Sequence, residues 1–93
     1  MDTQKKIKEA CQEISDLLCM KNEAYGDSAI SPIGVFGHSD PLKALGCRID
    51  DKISRIKNRG VGDHTEDTLD DLIGYLVLYK IAYKMERTPP PPF

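Results

Sequence analysis

Between residues 3 and 20 the apolar side chains return at helical spacing. Ile7, Cys11, Ile14 and Leu18 recur every three or four positions with Ala10 and Leu17 beside them, while Lys5, Lys6, Lys8, Glu9, Gln12, Glu13 and Asp16 take the other side. This predicts an amphipathic helix from Thr3 to about Met20. A second such pattern opens at Asp40-Pro41, a capping residue followed by proline at the first helical position. It predicts a helix to about Arg59, with Leu42, Leu45, Ile49, Ile53 and Ile56 as the core stripe and Gly60 and Gly62 as the stop. The third pattern, Thr65 to Lys84, is the most apolar stretch and has the most acidic start. Asp63 or Thr65 is the expected cap, with Glu66 standing three residues after Asp63 as in a capping box. Glu66, Asp67, Asp70 and Asp71 complement one end of the helix dipole, and Lys80 and Lys84 the other.

On that third helix Thr68, Leu69, Leu72, Tyr75, Leu76, Tyr79 and Tyr83 share one arc, but Ile73, Val77, Leu78 and Ile81 lie outside it. Its second half is therefore apolar nearly all round and needs neighbours on more than one side. A chain of 93 residues offers few, which implies a homo-oligomer, dimer or higher. No strand alternation, hairpin signal or internal repeat is present. The expected fold is all-α: three principal helices with a long loop after the first, spanning about residues 22–40 and carrying Gly26, Gly34, Gly37, Pro32 and serines. A loop of that length in so small a domain points to function. The short connection 61–64 makes the second and third helices antiparallel neighbours. Residues 1–87 form one domain, and 88–93, ending Pro-Pro-Pro-Pro-Phe93, an extended polyproline tail.

A net charge of −2 and a pI near 5.6 argue against a general nucleic-acid binder. Cys11, Cys19 and Cys47 show neither metal-ligand spacing nor an even disulfide set, and read as buried free thiols in a reducing compartment. The N-terminus lacks the apolar core of a signal peptide, and the longest apolar run, broken by Lys80, is too short to span a bilayer. The expected location is the cytoplasm.

Two charged groups stand out. Arg48, Lys52, Arg55 and Arg59 form a row at three- and four-residue spacing beside the apolar seam of the second helix. Asp67 and Asp71 lie one turn apart at the start of the third, with Asp70 and Glu66 on an adjoining row. Cations and acids can neutralise each other across the two helices, or they can face a pocket in which the cations take phosphate and the acids take Mg²⁺. Tyr75 and the glycine-containing loop favour the pocket. His38 and His64 have no partner at ligand or triad spacing, and no nucleophile stands beside a positioned base.

Three segments in order carry a family likeness: Lys21-Asn22-Glu23-Ala24-Tyr25-Gly26-Asp27, Arg48-Ile49-Asp50-Asp51-Lys52-Ile53-Ser54-Arg55, and the stretch from Glu66 through Asp67, Asp71 and Leu72 to Tyr75. The chain resembles, from about Leu17 to Tyr83, the small helical phage and prophage proteins grouped as a nucleotide-modification-associated domain. That group is in turn similar to the all-α MazG-type nucleoside triphosphate pyrophosphohydrolases. The resemblance implies a MazG-like helical bundle in which Asp50 and Asp51 stand for the first metal-binding acid pair and Asp67 with Asp70 for the last. Ser54 takes the place of the intervening acid, and Lys52 and Arg55 bring positive charge where metal would bind. The expected function is therefore binding and sequestration, without turnover, of a nucleotide or nucleotide-derived signal, cyclic forms included. Lys21, Tyr25, Gly26 and Asp27 would shape a lid, with Tyr25 or Tyr75 stacking on a base. Arg48, Lys52 and Arg55 would take phosphates, and Asp67 and Asp71 would orient the cations or accept hydrogen bonds. No cofactor is expected on that reading. The alternatives are a Mg²⁺-dependent pyrophosphohydrolase with Asp51, Asp67, Asp70 and Asp71 as ligands, and an oligomer serving only structure or protein interaction.

Overall fold

A computed structural model describes residues 2–62, 64 and 67–87. Three helices follow one another, α1 (Thr3–Tyr25), α2 (Pro41–Arg59) and α3 (Thr68–Arg87), and no strand occurs among the described residues. The expected all-α, three-helix architecture is what the chain adopts.

Local chemistry explains each boundary. The Asp2 carboxylate accepts a hydrogen bond from the Lys5 amide at 3.3 Å and opens α1. The helix runs past the expected end at Met20 because the first residue to leave helical geometry is Gly26, at φ +63°, followed by Asp27 at φ +64°. Their amides close on the Glu23 and Asn22 carbonyls. Asp40 caps α2 as expected, its carboxylate accepting from the Leu42 amide at 3.1 Å and its carbonyl from the Ala44 amide at 3.0 Å. At the other end the Gly60 amide donates to the Ile56 carbonyl at 2.8 Å. The third helix begins at Thr68, three residues later than expected, because Asp67 takes the capping role. Asp67 accepts from the Asp70 amide through Oδ1 and from the Asp71 amide through its carbonyl. The caps expected at Asp63 and Thr65, the capping-box Glu66 and the tail 88–93 with Phe93 lie outside the described residues.

Helices α2 and α3 pack antiparallel: Lys52 stands opposite Asp71, and Arg48 opposite Tyr75 one turn along. Helix α1 also runs antiparallel to α3, with Lys21 at Asp71 and Leu18 at Gly74. A Cβ on Gly74 would sit 2.8 Å from Leu18 Cδ2, so the glycine sets how closely α1 approaches. No Cα of α1 comes within 8 Å of one in α2. The two helices thus diverge across α3 and leave a space between them.

The core is small. Leu45 and Ala82 are the buried apolar side chains, and Thr68 the buried polar one, among the described residues. Three expectations are corrected here. Ile53, assigned to the α2 core stripe, is 52% exposed. On α3 the packed side carries Thr68, Asp71, Leu72, Tyr75, Tyr79 and Ala82, while Leu69, Leu76 and Tyr83 point outward. The shift has a cause: Lys52 and Arg48 seat Asp71 and Tyr75 against α2, which turns α3 away from the arc that hydrophobicity alone selects. Finally, Cys11, Cys19 and Cys47 are all exposed, because no described residue covers the faces of α1 and α2 that carry them. The Cα radius of gyration, 15.3 Å, exceeds the roughly 12 Å of a compact domain of this length.

Candidate functional site

The space between the diverging helices is a cavity of about 350 Å³. Its charged wall is made of Lys21 from α1, Arg48 from α2 and Asp70 and Asp71 from α3; its aromatic wall is Tyr25 and Tyr75; Leu17, Leu18, Leu45 and Leu78 form the apolar floor. Asp71 organises the charged wall. Its Oδ1 accepts from Lys21 Nζ at 3.0 Å and its Oδ2 pairs with Lys52 Nζ at 3.2 Å, so one carboxylate holds lysines from two helices. The side chains of Asp71 and Lys52 retain only 17% and 15% of their exposure, and that of Lys21 41%.

Burial pushes the Asp71 carboxyl up, but the hydrogen bonds and charges of Lys21 and Lys52 outweigh it and hold it below the ordinary value of 3.8. Lys21 is raised above 10.5, first by its hydrogen bond to Asp71 and against the pull of burial. Asp70 is raised above 3.8, chiefly by hydrogen bonding with Asp67 and then by burial and nearby acids. These directions fix a pH dependence. The stabilisation from a depressed Asp71 is present above pH 3.8 and is lost as pH falls through its lower folded value. That from a raised Lys21 is present below pH 10.5 and is lost as pH rises through its higher folded value. Asp70 acts in the opposite sense to Asp71, its contribution being lost as pH rises from 3.8 through its raised value. Denaturant titrations across pH should therefore show the Asp71 loss below pH 3.8 in the wild type and not in Asp71→Asn, and the Lys21 loss above pH 10.5 in the wild type and not in Lys21→Met.

Arg48 is exposed and stands with its Cζ 5.9 Å from the centroid of the Tyr75 ring, within the range of a cation–π contact. Its guanidinium and the ring make a combined surface: one face for stacking, one fork for an oxyanion.

Of the residues singled out from the sequence, Lys21, Tyr25, Arg48, Asp70, Asp71 and Tyr75 line the cavity together. Lys52 stands behind them, bonded to Asp71. Gly26 and Asp27, expected to shape a lid, are not among the lining residues; their left-handed turn ends α1, and Ser28, Ala29 and Pro32 beyond it line the cavity. Arg55 is half-buried on α2 and Asp67 caps α3, and neither lines the cavity. Asn22 and Ser28 are polar wall residues that the sequence did not single out. Asn22 was legible only as the neighbour of Lys21 on the face leading to Tyr25. Ser28 depends on the course of the loop, for which no local signal exists.

Of the acids named for Mg²⁺, Asp70 and Asp71 line the cavity and Asp51 and Asp67 do not. Both oxygens of Asp71 are engaged by lysines, Asp67 spends one on the Asp70 amide, and Asp51 is exposed on α2. Among the described residues no three of His, Cys, Asp and Glu are grouped as a metal would need. Nor is any described helix long and apolar enough to cross a membrane. No family model matches the chain, and neither a curated protein nor a solved structure matches it.

Proposed function

We propose that the cavity between α1, α2 and α3 binds a nucleotide or a nucleotide-derived signal, cyclic forms included, and holds it without turnover. One observation supports this reading above the others: Arg48 sets its cation over the face of Tyr75, 5.9 Å from the ring centroid, in a cavity of about 350 Å³ that Lys21 and Tyr25 also line. A phosphate takes the Arg48 fork, with Lys21 near it. A base inserts between aromatic and leucine surfaces, and Tyr25 is exposed enough, at 69%, to close on it. Asp71 serves by holding Lys21 and Lys52 in place, since both of its oxygens are already committed to them. Sequestration is the role such a protein would play, removing a signal by binding it.

The test is to incubate the pure protein with nucleotide panels with and without Mg²⁺, remove free ligand, denature the protein and identify what is released. Intact nucleotide released on denaturation is the expected result. Monophosphate with pyrophosphate would instead establish hydrolysis, and release of nothing would leave only a structural or protein-binding role.

A further inference from the structure

The cavity between the three helices is lined by two cations and two acids, Lys21 and Arg48 against Asp70 and Asp71. A site for phosphate alone gains nothing from the acids, since each carboxylate repels the anion that the cations attract. The fold accounts for one of them: Asp71 is committed to Lys21 and Lys52 through both oxygens. Asp70 is not engaged in that way. It is half-buried on α3, and among the described residues no cation pairs with it. Its carboxyl is raised first by hydrogen bonding with Asp67 and then by burial and the nearby Glu13 and Asp71, so the charged groups that act on it are all acids. An ionised carboxylate accepts hydrogen bonds and donates none, and what this one calls for is donors. Asp70 and Tyr75 are five residues apart on α3, about 7.5 Å along the helix axis. The acid thus stands apart from the Arg48 and Tyr75 pair, and the cavity suits a ligand with an anion at one end and N–H donors at the other.

We propose that Asp70 selects the base, and that the cavity takes guanine nucleotides in preference to others. Among the common bases guanine alone presents two adjacent N–H donors, N1–H and the 2-amino group, on its pairing edge. A carboxylate accepts both, one with each oxygen. Adenine and cytosine offer one donor beside a ring-nitrogen acceptor, whose lone pair would face the acid. Uracil and thymine offer one donor between two carbonyls. Asn22 lines the same cavity and supplies an amide donor for the guanine O6. The phosphate lies on the Arg48 fork and the ring against a tyrosine, as in the reading above. The inference rests on that nucleotide reading and adds to it the identity of the base.

Isothermal titration separates the two claims. The probes are the monophosphates, cyclic monophosphates and cyclic dinucleotides of guanine, hypoxanthine and adenine. In whichever form binds, guanine should bind at least about tenfold tighter than adenine, and hypoxanthine, which keeps N1–H but lacks the 2-amino group, should fall between them. Asp70→Asn puts a donor amide in place of one acceptor oxygen at nearly the same volume. It should lower guanine affinity at least about tenfold and bring it level with adenine, with circular dichroism reporting retained helix. Adenine binding as tightly as guanine in the wild type would overturn the proposal. So would a guanine preference that survives in Asp70→Asn, or a loss in that variant that strikes both bases alike, since a merely structural part for Asp70 predicts the latter. Each of these results leaves nucleotide binding standing. Binding of no probe of any base would remove the nucleotide reading itself, and the proposal with it.

Discussion

Asp71→Ala is expected to cost about 2–3 kcal/mol of folding stability, more than the loss of either lysine that it holds. The figure follows from burial. Removing one member of a fully buried ion pair typically costs about 3–5 kcal/mol, because the remaining charge stays desolvated. Here Asp71 and Lys52 are mostly shielded, but Lys21 is two-fifths exposed and can return to water. The order of effects should therefore be Asp71 over Lys52 over Lys21, with Lys21→Ala costing less than about 1 kcal/mol. For a domain of this length, whose total stability is about 5–14 kcal/mol, Asp71→Ala should lower the melting temperature by about 10–20 °C. Urea unfolding of the three variants at neutral pH checks the ranking. Equal losses for all three would mean that the Asp71 clasp does not hold α1 and α2 onto α3.

Arg48→Ala should have the opposite profile, with little effect on stability and a large effect on binding. Arg48 is exposed, and what it gives the fold is one cation–π contact, worth about 0.5–1 kcal/mol at such a site. Toward a phosphate it supplies charge-assisted hydrogen bonds worth about 1.5–3 kcal/mol, so nucleotide affinity should fall by about ten- to a hundredfold. Arg48→Lys should recover the charge but neither the fork nor the stacking surface, and should fall between the two. Isothermal titration of the wild type and both variants against any nucleotide retained in the panel measures this. Affinity unaltered in Arg48→Ala would take the residue out of the site. Arg55→Ala is a useful companion, since the basic row of α2 offers Arg55 to phosphate and the cavity lining does not include it.

These two residues also mark the limit of what the sequence discloses. The helices were legible because their signals are local: Asp40 with Pro41 starts α2, and Gly60 stops it, through bonds spanning two to four residues. The cations of α2 and the acids of α3 were legible as two groups that must meet, given the short turn between antiparallel helices. Their pairing was not. Lys21 and Asp71 are fifty residues apart, and their contact exists because Gly74 lets α1 lie close to α3. The rotation of α3 escaped the hydrophobic pattern for a related reason. On a helix apolar nearly all round, hydrophobicity does not say which side packs, and the pairings of Asp71 with Lys52 and of Tyr75 with Arg48 decide it. The same degeneracy left Leu69, Leu76 and Tyr83 on the outside, whereas the cysteines of α1 and α2 are exposed because no described residue covers them.

The claim on which the functional reading turns is that cations, an acid and aromatic rings from three helices enclose one ligand-sized space. Chemical-shift mapping by ¹H–¹⁵N NMR during titration with a retained nucleotide tests it most directly. The largest amide shifts should cluster at Asn22, Tyr25, Arg48, Gly74 and Tyr75, with intermolecular contacts between base protons and a tyrosine ring. Shifts confined to the far end of α3, or scattered over the outer faces of the helices, would contradict it.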